Sequence, residues 1–174
     1  TAENLPSYSA DFTARRLCLM VAAVGVDSLG NDINEVHYGI TAKFVTWYWH
    51  AFAQNAMVFV DACGAGGAYA APFRNAIIAK NASVYFGWTR PVFSDAAALV
   101  AKFMFDRMIG ANVAAPKETP PQRPFTYSDI YGDLTNRGLH VHPSTDGMTT
   151  TFKYFGGAGA FGLLVVDQGR SVHA

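Results

Sequence analysis

Met57-Val58-Phe59-Val60 runs directly into Asp61-Ala62-Cys63-Gly64-Ala65-Gly66-Gly67, and this junction constrains the fold more than any other stretch. Four consecutive β-prone apolar residues with no polar alternation suit a strand covered on both faces, as in a sheet with helices above and below it. The glycines that follow end the strand and force a tight turn. Cys63 is thereby delivered to the carboxyl end of a buried strand, where open α/β sheets present groups to ligands.

The rest of the chain supplies the matching parts. Leu17 to Val24 is one apolar run closed by Gly25, which predicts a first strand buried on both faces of a parallel sheet, with Cys18 in the core. Val26 to Glu35 is polar and reads as a loop leading to a short strand, Val36-His37-Tyr38-Gly39. Thr41 can cap a helix whose apolar residues Phe44, Val45, Tyr48, Trp49 and Phe52 recur at spacings of three and four. A helix is predicted over Tyr69 to Lys80 with Pro72 early and Phe73, Ile77 and Ile78 inward, then a strand over Ser83 to Trp88. Ser94 caps a further helix, Asp95 to Ile109, with Leu99, Val100, Phe103 and Met104 inward and Gly110 as its stop. After a proline-rich connector, Ala114 to Pro124, a helix is expected at about Tyr127 to Asn136 and a polar turn around His142 to Gly147. Strands at Thr149 to Phe155 and Phe161 to Val166, joined through Gly156 to Gly159, predict a C-terminal β-hairpin. Alternating strands and helices imply right-handed crossovers. The predicted fold is therefore an α/β three-layer sandwich, a mainly parallel sheet with helices on both faces.

Composition narrows the partners. The 174 residues are 51% hydrophobic, enough for one well-filled domain. Charged residues make up 15% and sum to zero net charge, against roughly 25% in ordinary soluble domains. So thin a charge points to surface buried by a partner, by self-association into a homo-oligomer or by missing chain. No Lys/Arg cluster occurs, which argues against nucleic acid, and no apolar stretch approaches the ~20 residues of a membrane span. Gly64-x-Gly66 lacks the third glycine of a dinucleotide loop, and the next strand ends in Gly87-Trp88 without a ribose-binding acid. A cysteine nucleophile elbow would need glycine where Asp61 and Ala65 stand, although His140 and His142 follow in a suitable chain order. His140-Val141-His142 offers two ligands on one strand face without a third. Neither a cofactor nor a metal is expected. Two cysteines make no disulfide framework, no leader pattern is read in the first residues, and the sequon Asn81-Ala82-Ser83 leaves the compartment open.

The chemistry therefore concentrates on Cys63. A thiol on a turn after a buried strand can attack a carbonyl while backbone N–H groups of the turn meet the developing oxyanion. A neutral imidazole at His37 could take the thiol proton and return it to the leaving amine. The bland readings remain beside this one: a packed cysteine, an Asp61 that caps backbone amides, a Trp88 that belongs to the core.

Asp61-Ala62-Cys63-Gly64-Ala65-Gly66 resembles the Asp/Glu-Ala-Cys-x-Ser/Ala-Gly block of the caspase-like cysteine peptidases, which include caspases, metacaspases, legumains, gingipains and the CHAT domains. Ala82 to Val92, with Phe86-Gly87-Trp88 and Pro91-Val92, looks like the strand after the cysteine in gingipain and CHAT relatives. The resemblance spans residues 57 to about 110. It implies Cys63 as nucleophile, His37 as general base, and Gly39 standing in for the glycine of the family's His-Gly pair, here separated from His37 by Tyr38. It further implies the amides of Gly64 and Gly39 near the oxyanion, and a pocket formed by Asp61 and Trp88 that favours Arg or Lys before the scissile bond. Only 36 residues precede His37, so the expectation is a single caspase-like domain over 1–174 short of part of the amino-terminal sheet. The implied function is a caspase-like cysteine endopeptidase acting on peptides or proteins through a Cys/His dyad and a thioacyl intermediate. The alternative is a caspase-like domain without catalysis that serves as a binding or self-assembly module.

Overall fold

The computed structural model describes residues 6–109 and 126–156. A single turn of 3-10 helix and a short helix α1 (Ser9–Thr13) lead into strands β1 (Leu17–Val26) and β2 (Asp32–Ile40), followed by α2 (Ala42–Tyr48) and β3 (Met57–Val60). Then come α3 (Ala71–Ala79), β4 (Val84–Trp88), α4 (Ser94–Met108), α5 (Tyr127–Asn136), β5 (Val141–Pro143) and β6 (Thr149–Gly156).

These strands form two separate sheets. β1 and β2 make an antiparallel ribbon, while the other four lie in the order β3-β4-β6-β5. β3 and β4 are parallel, with Val60 opposite Gly87, and the pairs β4/β6 and β5/β6 are antiparallel. The four-stranded sheet is thus mixed, with one parallel pair, and the expected mainly parallel sheet is corrected. The reason lies in the connections: α3 carries the chain back across the sheet between β3 and β4, whereas β6 follows β5 through a tight turn and can only run against it.

Alternation along β4 divides the core. Val84, Phe86 and Trp88 face α4 and α5, where Val100, Phe103, Met104, Ile130 and Leu134 meet them. Tyr85 faces the other way, with Val58 and Val60, onto Val45 of α2 and Ile77 and Phe73 of α3. Helices therefore cover both faces, and every residue of β4 is buried. Full burial of each such large apolar side chain stabilises the fold by roughly 1.5–3 kcal/mol. Phe86 stacks on Phe152 of β6 with ring centroids 5.7 Å apart, and Arg107 of α4 reaches Asp133 of α5 at 3.6 Å. Local signals fix the helix starts. The Thr41 hydroxyl accepts from the amides of Lys43 and Phe44, and Thr126 and Asp129 form a reciprocal capping box at α5.

Four further expectations need correction. β1 is not an interior strand: its neighbour is a hairpin partner, and Leu19, Met20 and Val21 are exposed by about half or more. The hairpin is closed by Asp27, whose carboxylate accepts from the amides of Leu29 and Asn31. Cys18 is exposed rather than core, its Sγ set 3.5 Å from the Gly39 carbonyl. His37 lies inside a nine-residue strand that begins at Asp32, within the stretch expected to be loop. The hairpin that the structure describes near the C-terminus is β5–β6, across Ser144 to Met148, so that Val141 to Pro143 is strand rather than turn. The expected strand Phe161 to Val166, the proline-rich connector and Gly110 lie outside the described residues.

Candidate thiol site

β3 ends at Val60, and the next seven residues curl over the end of β4. The amide of Gly64 donates to the Arg90 carbonyl at 3.1 Å, that of Gly66 to Trp88 at 2.7 Å, and that of Gly67 to Gly64 at 2.8 Å. Side chains hold the alternate carbonyls: the hydroxyl of Tyr69 donates to Cys63, the hydroxyl of Tyr85 to Ala65, and the guanidinium of Arg74 to Gly67. Two glycines are required here. Gly64 has φ +70° and a Cβ there would fall 1.2 Å from the Tyr69 hydroxyl; a Cβ on Gly66 would meet the Gly87 carbonyl at 2.4 Å. The turn is buried from Gly64 to Gly67, yet Cys63 just before it is exposed. The sequence thus sets a thiol in solvent on a backbone that is held by hydrogen bonds from both its amides and its carbonyls.

Asp61 sits two residues earlier, exposed, with Oδ1 accepting from the indole Nε1 of Trp88 at 3.0 Å. Its other carboxylate oxygen is left for solvent or ligand. Trp88 is fully buried, wedged between Phe152 and His142, so it offers no surface to a ligand. Its expected place in a pocket wall is corrected: it anchors Asp61 from within the core. The Gly64 amide, expected near the oxyanion, is committed to Arg90. Among the described residues the Cys63 amide has no hydrogen-bond partner, which leaves it as a free backbone donor on the residue that carries the thiol.

The structure brings Asp61, Cys63, Gly64 and Trp88 together and sets His37 and Gly39 on the ribbon. His37 pairs with Met20 across the ribbon, and its Nε2 lies 3.3 Å from a Glu35 carboxylate oxygen, both side chains more than half exposed. Gly39 is buried against Cys18 and Met20, a close approach that explains the glycine without reference to an oxyanion. Among the described residues no hydrogen bond joins His37 to Cys63.

Sequence reasoning missed the residues that fix the turn. Tyr69, Tyr85 and Arg74 carry no motif; the one available signal is that a turn with four small residues exposes carbonyls that something must satisfy. It also passed over the surroundings of His142. That ring lies 5.7 Å from Trp88, with Nε2 2.9 Å from the Leu139 carbonyl, and it lines a cleft of about 670 Å³ with Phe93, Asp95, Leu99 and Pro143. Arg90 clasps Asp146 at 2.8 Å and holds its carboxyl below the usual range. Burial pushes the Tyr85 hydroxyl up, so it remains a donor to the turn at neutral pH. No group of three or more metal-ligating side chains occurs among the described residues. In comparisons with protein families, with curated proteins and with solved structures, nothing matches the chain.

Proposed function

We propose that the chain is a caspase-like cysteine endopeptidase domain with Cys63 as its nucleophile. One observation carries the reading: an exposed thiol at the carboxyl end of a parallel strand, on a turn whose amides and carbonyls are tied down from both sides. Rigid placement of a nucleophile is what converts a collision into an oriented attack.

In this reading the Cys63 thiol gives its proton to a histidine, and the sulfur adds to the peptide carbonyl carbon. The oxyanion meets the Cys63 amide. Collapse breaks the C–N bond, the imidazolium proton leaves with the amine, and water then opens the thioester to free acid and thiol. Asp61, with one oxygen on Trp88 and the other free, favours a guanidinium or ammonium before the scissile bond. His37 is the assigned base, and it must leave Glu35 and come within roughly 3 to 4 Å of the sulfur for the dyad to act.

A second reading has its own observation. His37 sits on a separate sheet beside Glu35, which favours a domain that binds or assembles without cutting. Iodoacetamide separates the two. A dyad makes Cys63 react much faster than Cys18, which is also exposed, at neutral pH, and His37→Ala removes the difference. Equal rates at Cys18 and Cys63 in the wild type would leave the binding module as the answer.

A further inference from the structure

The ribbon is guarded on one edge and bare on the other. β2 carries Asp32 and Glu35, charges of the kind that keep an edge strand from pairing. β1, Leu17–Val26, has ten residues with no charge and no proline, and β2 is its single strand partner among the described residues. Among the described residues its outer edge is therefore a row of backbone donors and acceptors without a strand to meet them. β3, at the edge of the other sheet, offers only four residues.

The faces tell the same story. Leu19 lies opposite Tyr38 and Val21 opposite Val36, apolar pairs in which Val21 is 67% exposed and Val36 58%. A two-stranded ribbon is marginal in water, and a wider sheet with an apolar face is not.

We infer that β1 pairs antiparallel with β1 of a second copy, giving a four-stranded sheet in the order β2-β1-β1-β2 about a two-fold axis. Two-fold pairing sets each residue of the strand against another residue of the same strand. A charged strand would face its own charge, and β1 has none to face. The register is regular from Leu17 to Ala23, before the irregularity between Ala23 and Gly25. The middle of that stretch is Met20, which then lies opposite Met20 of the second copy. Leu19 lies opposite Val21, so the apolar face runs unbroken through both ribbons, and the charged β2 strands close the outer edges against further growth. The inference does not depend on Cys63 being a nucleophile.

The test is the mass in solution of the full chain by light scattering under reducing conditions. The wild type is expected at twice 18.8 kDa. Met20→Lys and Met20→Asp each set like charges directly opposite and are expected at the single-chain mass with unchanged circular dichroism; mixing them restores the dimer. A wild type that stays at one chain mass at every concentration, or that grows into larger species, overturns the inference. So do variants that remain dimeric, or folded variants that fail to pair when mixed. If the charged variants lose their fold, Met20→Cys in a Cys18→Ser background decides: gentle oxidation is expected to link two chains through residue 20, and its failure to do so overturns the pairing.

Discussion

β1 and β4 are equally apolar and end in opposite environments. Val84–Trp88 is buried at every residue, while Leu19, Met20, Val21, Val24 and Val26 of β1 stand in solvent. What differs is the chain on either side. β4 is entered from α3 and left through the segment that starts α4, so each of its faces acquires a helix. β1 is left through a short turn built on Asp27 and returns as β2, so it acquires a strand on one edge and only the small α1 near its base. An apolar run therefore reports that a strand wants cover; the connections decide whether its own domain supplies it.

This contrast can be broken or sharpened by substitution, beginning with the largest expected effect. Trp88→Ala removes a fully buried ring from between Phe152 and His142 and frees Asp61, and it is expected to cost about 3–5 kcal/mol in urea unfolding. A loss below about 1 kcal/mol would mean that this side of the sheet is not a packed core. Gly66→Ala drives a methyl into the Gly87 carbonyl. About 1–3 kcal/mol is expected, together with slower alkylation of Cys63 if the turn shifts. At the ribbon, Val36→Ala is expected within about 0.5 kcal/mol when measured on dilute protein, because its side chain is already largely in water. A large cost there would show that the ribbon is covered in the single chain.

The smallest effect concerns acid. The folded state holds the carboxyls of Asp146, Asp27 and Asp11 below their ordinary range, through Arg90 at Asp146, Asn31 at Asp27, and Arg16 with Tyr48 at Asp11. Groups depressed on folding lend stability above the unfolded carboxylate range, and that stability is lost as pH falls through their folded values. Thermal midpoints are thus expected to fall slightly faster below about pH 4 in the wild type than in Asp146→Asn. Since Asp146 is exposed, parallel curves would mean that the Arg90–Asp146 clasp is structurally silent.

Much of the body of the domain was legible. The run Met57 to Val60 with its glycines, the spacing of Phe73 and Ile77, the apolar run of β4 and the cap at Thr41 are local signals, and each describes an element whose environment its own sequence sets. The misreadings share a cause. Leu17 to Val24 and Asp32 to Ile40 are a strand pair recognised only through each other, and the polar residues of β2 look like loop until β1 is opposite them. β5 is three residues long and has no period to read. Leu99, expected inward, is 47% exposed, because α4 turns its Val100, Phe103 and Met104 stripe to the sheet and leaves Leu99 at the rim. In the site, the cysteine and the glycines carry local marks. The tyrosines that hold the turn, and the distance between a ribbon histidine and a sheet cysteine, are tertiary facts.

The most direct test of the thiol site is covalent trapping. A short peptide ending in arginine with a carbonyl-based thiol-reactive warhead, added to the full chain at neutral pH, is expected to modify Cys63 alone. Cys18 should stay free, and Asp61→Asn should slow the arginine probe more than one ending in alanine. Equal modification of Cys18 and Cys63, indifferent to the peptide and to Asp61, would contradict the assignment of Cys63 as a peptidase nucleophile.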